Sequence, residues 1–385
     1  MEYFLNEQQQ TVRALARRIA EERILPVRAE LDEKEEFPWE IIAELSNSDM
    51  FRLFIPEQYD GLGGGTLDLC LVVEELSRAC GGVAISYAAT ALGVLPLIHY
   101  GNESQKQKYL PAVASGKRLA AFAVTEATAG SDAAAIRTSA TRQQDRFVLS
   151  GTKQYITNGG EAEVYVVIAM TDPAKGSRGA SAFVVEKDTP GFTFGKKENK
   201  MGIRSSSTRE LVFKDCRLPD ANLIGKEGMG FIIAMRTLDR SRPGVGAQAV
   251  GIAQGALEAA VDYAQQRVQF DHPISSFQAV QHMLANMATE VEAARALVYA
   301  VARSIDAGAK SFSEEAAMSK VFASDVAMKV TTDAVQILGG AGYMREYPVE
   351  KMMRDAKITQ IYEGTNQVVR NAIALDLLKR KGKRE

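Results

Sequence analysis

An unbroken stripe of apolar residues, spaced three and four positions apart, runs through the C-terminal part of the sequence. Its members are Phe277, Val280, Leu284, Met287, Val291, Ala294 and Val298. This spacing puts all of them on one face of a long helix, and such a face must be buried against other helices. A second stripe consists of Val250, Leu257, Val261, Ala264 and Val268. The chain must therefore contain a helical bundle.

The pattern predicts four helices after position 226. They cover residues 229–268, 277–307, 314–338 and 365–380, with stops or breaks at Gly308, Gly339, Gly340 and Gly342. The closing segment KRKGKRE is expected to be a solvated tail.

Between positions 119 and 225 the pattern changes from helical spacing to short segments rich in Val, Phe and Tyr. These segments are FVLSGTK, VYVVIAM, SAFVVE, FTF and RELVFKDC. Turn-type clusters such as NGGE and KDTPG separate them, and no helix-length segment does. We therefore expect an antiparallel sheet, as a small sandwich or barrel, and not a dinucleotide-binding unit of alternating strands and helices.

The first 118 residues read as helices, starting at Asn6, which forms a capping-box pattern with Gln9. Clustered glycines in GLGGG, residues 61–65, could suggest a phosphate cradle. That motif requires a preceding strand and a GxGxxG spacing, and neither is present. We interpret the segment as a turn and helix entry.

Together the three zones predict a mostly helical α+β chain. An N-terminal helical domain would cover residues 1–118, a middle β domain 119–225 and a C-terminal four-helix bundle 226–385. The length of 385 residues exceeds the size at which one hydrophobic core usually stops growing, which agrees with several domains.

Composition excludes several classes of function. The net charge of -2 gives no electrostatic reason to bind nucleic acid. The N-terminus lacks the basic and apolar regions of a secretory signal, and we expect no apolar run of membrane-spanning length. We therefore expect a cytoplasmic protein without membrane contact.

The cysteines and histidines indicate neither a disulfide framework nor a metal site. Cys70, Cys80 and Cys216 are odd in number and form no CxxC. The three histidines, His99, His272 and His282, lie far apart without metal-ligand spacing.

Two segments carry groups suited to chemistry. In ITQIYEGTNQVVR, residues 358–370, Glu363 is either a solvated loop acid or a base placed to remove a proton. VTEATAGSD, residues 124–132, is rich in hydroxyls and small residues and could direct N–H groups at a ligand, but an ordinary turn has the same composition.

Six motifs, in this order and at these separations, resemble the acyl-CoA dehydrogenase family. They are AFAVTEATAGSD, GTKQYITNGG, MGIRSSSTRELVF, LDRSRPGVGAQAVGIAQGALE, TTDAVQILGGAGY and EYPVEKMMRDAKITQIYEGTNQ. The resemblance covers essentially the whole chain. It implies the three-domain fold described above, with FAD held between the last two domains and across a subunit interface.

The resemblance also implies which residues contact the flavin. Around the ring these would be Phe122, Val124, Thr125, Gly130, Ser131, Tyr155, Ile156 and Thr157. Many relatives have Trp where this chain has Tyr155, and either aromatic ring can cover a flat flavin. The Thr125 hydroxyl is suited to donate a hydrogen bond to the flavin and so tune it.

For the adenosine half of FAD, the resemblance implies contacts that often come from a neighbouring subunit. These are Arg267, Phe270, Gln278, Gln336, Ile337, Leu338, Gly339, Gly340, Thr365 and Gln367. Many relatives have Gly where this chain has Asp271. An acid there would repel the pyrophosphate unless its side chain turned outward.

For the acyl-CoA substrate, the resemblance implies contacts from Ser131, Leu238, Asp239, Arg242 and Gly364, of which Asp239 and Arg242 would face the pantetheine and adenine of CoA. Read without the family, Asp239 and Arg242 form an ordinary surface ion pair on a helix.

The implied reaction is oxidation of an acyl-CoA to the trans-2-enoyl-CoA, which removes a proton from Cα and a hydride from Cβ. The weakly acidic Cα–H needs a contacting base, and a desolvated carboxylate such as Glu363 supplies one. Isovaleryl-type relatives carry the base at the position of Ser241 instead, and a serine cannot replace a carboxylate.

We expect the residues lining the acyl pocket to lie in 85–96 and in the helix from 229, with Ala88, Ala89 and Ala91 leaving room and Tyr87 and Leu92 able to close it. A short-chain, butyryl-like acyl group is favoured, with branched or cyclic groups next, and electrons would pass to an electron-transferring flavoprotein. A same-fold oxidase that uses O₂ and a non-enzymatic scaffold protein are the alternatives. The bundle and the shared FAD site imply a homotetramer.

Overall fold

The computed structural model describes residues 3–381, and the predicted solvated tail lies mostly outside these residues. The N-terminal zone is helical, as expected. Its helices are α1 (Glu7–Ile19), α2 (Arg28–Lys34), α3 (Trp39–Asn47), α4 (Thr66–Ala79), α5 (Gly81–Tyr100) and α6 (Glu103–Ala114).

The two predictions about local structure in this zone are confirmed. Asn6 Oδ1 accepts from the Gln9 N–H at 2.8 Å and Gln9 Oε1 accepts from the Asn6 N–H at 3.2 Å, which completes the capping box of α1. The glycine-rich segment forms a turn that leads into α4, with Gly65 as its N-cap residue.

Helix α5 corrects the expectation that no segment has membrane-spanning length. It has 20 residues and a mean hydropathy of 1.7, which suffices to cross a bilayer by length and composition. However, 78% of its most apolar window is buried against other parts of the protein. We therefore interpret α5 as a core helix.

The middle zone forms one eight-stranded sheet, whose order is β6-β7-β3-β2-β4-β5-β8, with β1 paired to β4. The strands are β1 (Ala120–Ala123), β2 (Ser139–Gln143), β3 (Arg146–Thr157), β4 (Val164–Met170), β5 (Ala180–Glu186), β6 (Phe192–Lys197), β7 (Thr208–Pro219) and β8 (Leu223–Ile224).

Most strand pairs are antiparallel, as predicted, but the sheet is mixed. β1 runs parallel to β4, with Ala120 opposite Val164, and β2 makes one parallel pairing with β4. Parallel neighbours need a crossover connection, and here the hairpin of β2 and β3 supplies it between β1 and β4. The sequence did not indicate this crossover because β1 is only four residues long.

The C-terminal zone contains one helix more than predicted. Its elements are α7 (Gly230–Gln266), a hairpin of β9 (Val268–Gln269) and β10 (His272–Pro273), α8 (Gln278–Asp306), α9 (Ser313–Leu338), α10 (Val349–Thr359) and α11 (Asn366–Lys381). Helix α10 was missed. In the second apolar stripe, Val268 lies beyond α7 and is 49% exposed.

One continuous apolar core joins the three zones. It includes Leu71 of α4, Phe147 of β3 and Val250 of α7. Helix α7 packs against α4, α5, α8, α9 and α10. The domain boundaries at 118 and 225 stay a prediction, since the two largest apolar clusters each contain residues from all three zones.

Candidate active site

Glu363 lies in the short loop between α10 and α11, in an unusual backbone conformation. Its φ is 52°, and that of Gly364 is 96°. Left-handed backbone is uncommon for a residue with a side chain, and such strained positions cluster at functional sites. A Cβ on Gly364 would lie 3.0 Å from Val369 Cγ2, so a glycine also leaves needed space here.

The Glu363 side chain is half-buried, and its carboxylate is hydrogen-bonded. The Ser241 hydroxyl of α7 donates to Glu363 Oε2. Burial raises the pKa of Glu363 above its usual range, while the Ser241 hydrogen bond and the charges of Arg242 and Lys320 lower it. The result is a carboxylate that is a stronger base than a solvated one and still has groups that favour its ionised form.

Glu363 and Ser241 line a cavity of about 290 Å³. Its walls are mostly aliphatic side chains and glycine backbone. The lining residues are Phe54, Pro56, Gly63, Gly64, Gly65, Thr66, Leu69, Ile85, Ala88, Ala89, Leu92, Leu95, Ile98, His99, Arg240, Ser241, Gly244, Val245, Gln248, Ile305, Asp306 and Glu363. A mostly apolar cavity with a few convergent polar groups is typical of a small-molecule site.

The two segments expected to line the pocket do line this cavity, although not through every residue we named. Ala88, Ala89 and Leu92 lie in its wall, but Ala91 and Tyr87 do not. Tyr87 is fully buried, and its hydroxyl donates to the Met50 carbonyl at 2.8 Å. It is committed to the core and does not close the cavity.

The Asp239–Arg242 pair is not the ordinary surface pair that the sequence alone suggested. Arg242 Nη1 donates to Asp239 Oδ1 at 2.6 Å, and their side chains are only 11% and 21% exposed. Burial raises the pKa of Asp239, and the charge of Arg242 opposes this. Within the described residues, the buried Arg242 Nε has no hydrogen-bond partner. Leu238, which precedes this pair, is half-buried.

The first two motifs come together next to β1 and β3. The Gln154 N–H donates to the Thr125 carbonyl at 2.8 Å, and Lys153 Nζ donates to the Val124 carbonyl at 2.8 Å. A register shift between β3 and β7 falls between Lys153 and Ile156. Bulges of this kind redirect side chains.

At that bulge, Tyr155 has a φ of 60° and is 58% exposed. Phe122, Val124, Thr125 and Thr157 are half-buried. Ile156 is different, because its side chain is buried in the core and leaves only its backbone for a ligand.

Gly130 and Ser131 lie in an exposed turn after β1. No atom would contact a Cβ built on Gly130 within 4 Å. The structure therefore leaves this turn open to solvent or to a ligand.

None of the residues assigned to the adenosine half of FAD lines the cavity, although Thr365 lies in the same loop as Glu363. Arg267, Phe270 and Gln278 are exposed around the β9–β10 hairpin. Phe270 and Asp271 form its two-residue turn, with φ of 52° and 62°. Asp271 is exposed.

Five further residues of this set follow at the end of α9. Gln336, Gly339 and Gly340 are exposed, but the side chains of Ile337 and Leu338 are buried in the core. Those two can offer a ligand only backbone atoms, and their assignment to the cofactor site stays a prediction. Beyond Glu363, Thr365 is half-buried and Gln367 exposed.

Three family models match almost the whole chain. The acyl-CoA dehydrogenase N-terminal, middle and C-terminal domains match residues 6–117, 121–216 and 228–378. The chain belongs to the acyl-CoA dehydrogenase family. Membership confirms the family, enzyme class and FAD cofactor implied by the motifs.

Solved structures of other family members have the same fold. Butyryl-CoA dehydrogenase from Megasphaera elsdenii is 48% identical, with a TM-score of 0.96 over 98% of this chain and 100% of that one. A chain in the structure of the electron transferring flavoprotein of Acidaminococcus fermentans is 50% identical, with a TM-score of 0.96 over 98% and 100%. An acyl-CoA dehydrogenase from Bacillus anthracis, complexed with FAD, is 36% identical, with a TM-score of 0.93 over 99% and 68%. The predicted fold class is confirmed.

The residues of this acyl-CoA dehydrogenase fit a flavin. Tyr155 offers a flat, exposed ring at the bulge, beside the half-buried Thr125 and Thr157. Gly339 and Gly340 have open space where side chains would stand, so a ligand can approach their backbone closely.

Sequence reasoning missed several residues near the base. Ser241 was considered only as a replacement for the base, not as its hydrogen-bond donor. Lys320 of α9 was not considered, and Gly63–Gly65 were interpreted only as a turn and helix entry and not as part of a cavity wall. Only the structure shows why glycine is needed in this segment, since a Cβ on Gly65 would lie 2.5 Å from the Asp306 carboxylate.

Proposed function

We propose that this enzyme oxidises a short-chain acyl-CoA to the trans-2-enoyl-CoA, with Glu363 as the base. The observation that carries the proposal is a desolvated carboxylate in the wall of an apolar cavity. An acyl chain suits such a cavity, and its Cα–H needs such a base.

In this proposal Glu363 accepts the proton from Cα. Desolvation makes it a stronger base, and the Ser241 hydroxyl holds one of its oxygens in place. Arg242 and Lys320 favour its ionised form before the substrate reacts. By the family resemblance, the backbone N–H of Glu363 donates to the thioester oxygen and stabilises enolate character as it develops.

FAD, when bound, supplies the acceptor for the hydride that leaves Cβ. Phe122, Val124, Thr125 and the segment 155–157 would hold its ring, with Ile156 acting only through its backbone. The remaining contacts would come from Gly130 and Ser131 and from the exposed groups of Arg267, Phe270, Gln278, Gln336, Gly339, Gly340, Thr365 and Gln367.

For the substrate, Leu238, Asp239 and Arg242 on one turn of α7 would face the CoA, together with Ser131. The unpartnered Arg242 Nε supports this assignment because buried donors in proteins normally have a hydrogen-bond partner. Gly364 would let the acyl group pass close to the backbone.

The short-chain assignment is supported by the similarity to butyryl-CoA dehydrogenase and by the limited cavity of about 290 Å³. The similarity to the chain from the electron transferring flavoprotein structure supports such a flavoprotein as electron acceptor. A homotetramer and a cytoplasmic location complete the proposal.

A panel of acyl-CoAs, added anaerobically and scored by bleaching of the flavin, tests the proposal. We expect butyryl-CoA to bleach the wild-type flavin faster than longer, branched or cyclic acyl-CoAs do. Glu363→Gln should stay yellow and lose turnover by on the order of 10²- to 10⁴-fold. Vigorous peroxide production without an added acceptor would instead indicate an oxidase.

A further inference from the structure

Lys320 of α9 is a fully buried cation that contacts the loop carrying the base. Its Nζ donates to the Gly364 carbonyl at 2.7 Å and to Asn366 Oδ1 at 2.8 Å. The residue has 0% relative exposure. Burying an ammonium is costly, and the two hydrogen bonds to this loop offset only part of that cost. A lysine with no role beyond packing would be better replaced by an apolar residue.

Other residues of α9 hold the same loop. Asn366 Nδ2 donates to Ser324 Oγ at 2.8 Å and to Asp325 Oδ1 at 2.9 Å. Gln360 Nε2 donates to Asp325 Oδ1 at 2.7 Å. Both ends of the loop are thus fixed to α9, and Lys320 holds the carbonyl of Gly364, the residue that directly follows the base.

We propose that Lys320 is a positioning residue for Glu363, acting through the Gly364 carbonyl and through its own positive charge. The Gly364 carbonyl belongs to the residue next to Glu363, where φ is 96°. A hydrogen bond that fixes this peptide helps to fix the left-handed turn that places Glu363 in the cavity wall. The inference rests on the proposed role of Glu363 as the base.

The charge of Lys320 acts on Glu363 together with groups from other elements. Besides Lys320, the Ser241 hydroxyl and Arg242 of α7 lower the pKa of Glu363, against the larger effect of desolvation. Arg242 is itself paired with Asp239. The neighbouring Tyr362 has a strongly raised pKa, because of burial and then of the Glu363 charge, so it stays neutral.

Lys320 is protonated around neutral pH and can supply this charge. Desolvation lowers its pKa to about 8, an effect that Glu363 and Asp325 oppose and that Arg242 and Arg370 reinforce. Below pH 8 the ammonium therefore remains mostly charged beside the base.

Three substitutions separate the hydrogen bond from the charge. Lys320→Met removes both, Lys320→Gln removes the charge and keeps an N–H donor, and Lys320→Arg keeps both. Lys329→Met is the matched control on the same helix, because Lys329 is 52% exposed and pairs with Glu290. Each variant holoenzyme is assayed for kcat and KM with butyryl-CoA across the pH range.

We expect Lys320→Met to lower kcat by on the order of 10²-fold, because small displacements of a reacting group have effects of this size. The Lys320→Met and Lys320→Gln variants both lack the positive charge near Glu363, so the pKa of Glu363 should rise. The acidic limb of the kcat profile should therefore move upward by about one pH unit in both. The acidic limb of Lys320→Arg should coincide with that of the wild type. The KM for butyryl-CoA should change little in all three Lys320 variants, and Lys329→Met should match the wild type in kcat and KM.

A folded Lys320→Gln variant whose acidic limb coincides with that of wild type would overturn the inference, even if kcat fell, because packing alone would explain that loss. Should Lys320→Met not fold, the Gln profile decides. Glu363→Gln is measured alongside: if it keeps wild-type turnover, the proposed function fails, whereas an inactive Glu363→Gln with unaffected Lys320 variants rejects only the role of Lys320.

Discussion

At the scale of single residues, the site depends on a backbone conformation that most side chains avoid. Glu363 has a φ of 52°, and holding a non-glycine residue there costs on the order of 1–3 kcal/mol. The following glycine, the Ser241 hydroxyl and the contacts from α9 offset this cost. The carboxylate is therefore positioned by its surroundings and not by its own preference.

Gly364→Ala should damage both stability and catalysis. The alanine would have to adopt the left-handed backbone conformation of Gly364, and its Cβ would lie 3.0 Å from Val369 Cγ2. We therefore expect the free energy of unfolding to fall by about 1–3 kcal/mol and kcat to fall clearly. Gly308→Ala is the control, because Gly308 has a φ of 81° but open space around it. It should lose stability in a denaturant titration and keep kcat. An unchanged kcat in Gly364→Ala would contradict the role of this turn.

Ser241→Ala should shift the pH dependence of catalysis. The hydroxyl lowers the pKa of Glu363, so its removal raises that pKa further above the ordinary value of 4.5. The base must be ionised to act, so activity is lost as pH falls through its pKa. We expect the acidic limb of kcat to move upward by about one pH unit, the size of one charge-assisted hydrogen bond. Ser104→Ala, at an exposed position, is the control and should leave the acidic limb of kcat in place. An unmoved acidic limb in Ser241→Ala would refute the assignment of Ser241 as the hydrogen-bond donor to the base.

Sequence reasoning at this scale could find Glu363 but not its surroundings. The motif around Glu363 is local and carries the family resemblance. Its partner Ser241 lies 122 positions away, and Lys320 lies 44 positions from Gly364. Nothing in the spacing of a single sequence shows that these residues meet. The same limit applies to Ile156, Ile337 and Leu338, whose burial depends on packing against distant strands and helices.

At the scale of elements, the long helices were predictable and α10 was not. The stripe from Phe277 to Val298 indicated α8 because its apolar period is unbroken. In α10, Lys351 and Asp355 occupy buried positions one turn apart and pair at 2.5 Å. Asp355 also accepts from the Ile203 N–H at 2.5 Å. The buried apolar residues Val349, Met352 and Ala356 keep a helical spacing, but the helix has only 11 residues and buried ionisable residues share its inner face, which is why this helix was missed.

A buried ion network between α4 and α8 is expected to dominate the stability of the contact between these helices. Arg295 Nε donates to Glu74 Oε1 at 2.8 Å, and the Tyr299 hydroxyl donates to Glu74 Oε2 at 2.8 Å. Arg295→Met would leave Glu74 buried without its cation. We expect a loss of about 3–5 kcal/mol in urea unfolding, the usual effect of breaking a buried pair.

The same variant should show a pH-dependent loss. Burial already raises the pKa of Glu74, and removing Arg295 raises it further. The folded state then binds more protons than the unfolded state above pH 4.5, so stability falls as pH rises. The deficit should be larger at pH 8 than at pH 5. Lys329→Met, which breaks the exposed pair with Glu290, should cost below about 1 kcal/mol at both values.

At the scale of the whole molecule, the order of the three zones was predictable from the sequence. The spacing of apolar residues changes from helical to strand-like between the first and second zones, and back to helical between the second and third. The shared core was not predictable, since contacts between zones leave no local signal. The fold brings α5, α7 and the loop before α11 around one cavity. That cavity exists only in the assembled chain.

Exposed leucines on α11 are consistent with the proposed tetramer. Leu375, Leu377 and Leu378 are 56%, 48% and 66% exposed. Apolar clusters of this kind often mark interfaces. We expect Leu378→Glu to shift the protein toward smaller species in analytical ultracentrifugation, whereas Leu25→Glu, at a position 38% exposed in the N-terminal zone, should not. A wild-type protein that sediments as a monomer would reject the tetramer.

The central claim is that Glu363 removes the proton next to the thioester, and α-hydrogen exchange measures this step alone. A CoA thioester without hydrogen on its β position cannot be oxidised, so incubation with the holoenzyme in D₂O reports only proton abstraction. We predict rapid deuterium incorporation at Cα by the wild type, and incorporation slowed by on the order of 10²- to 10⁴-fold in Glu363→Gln. Equal exchange rates in the two proteins would contradict the account.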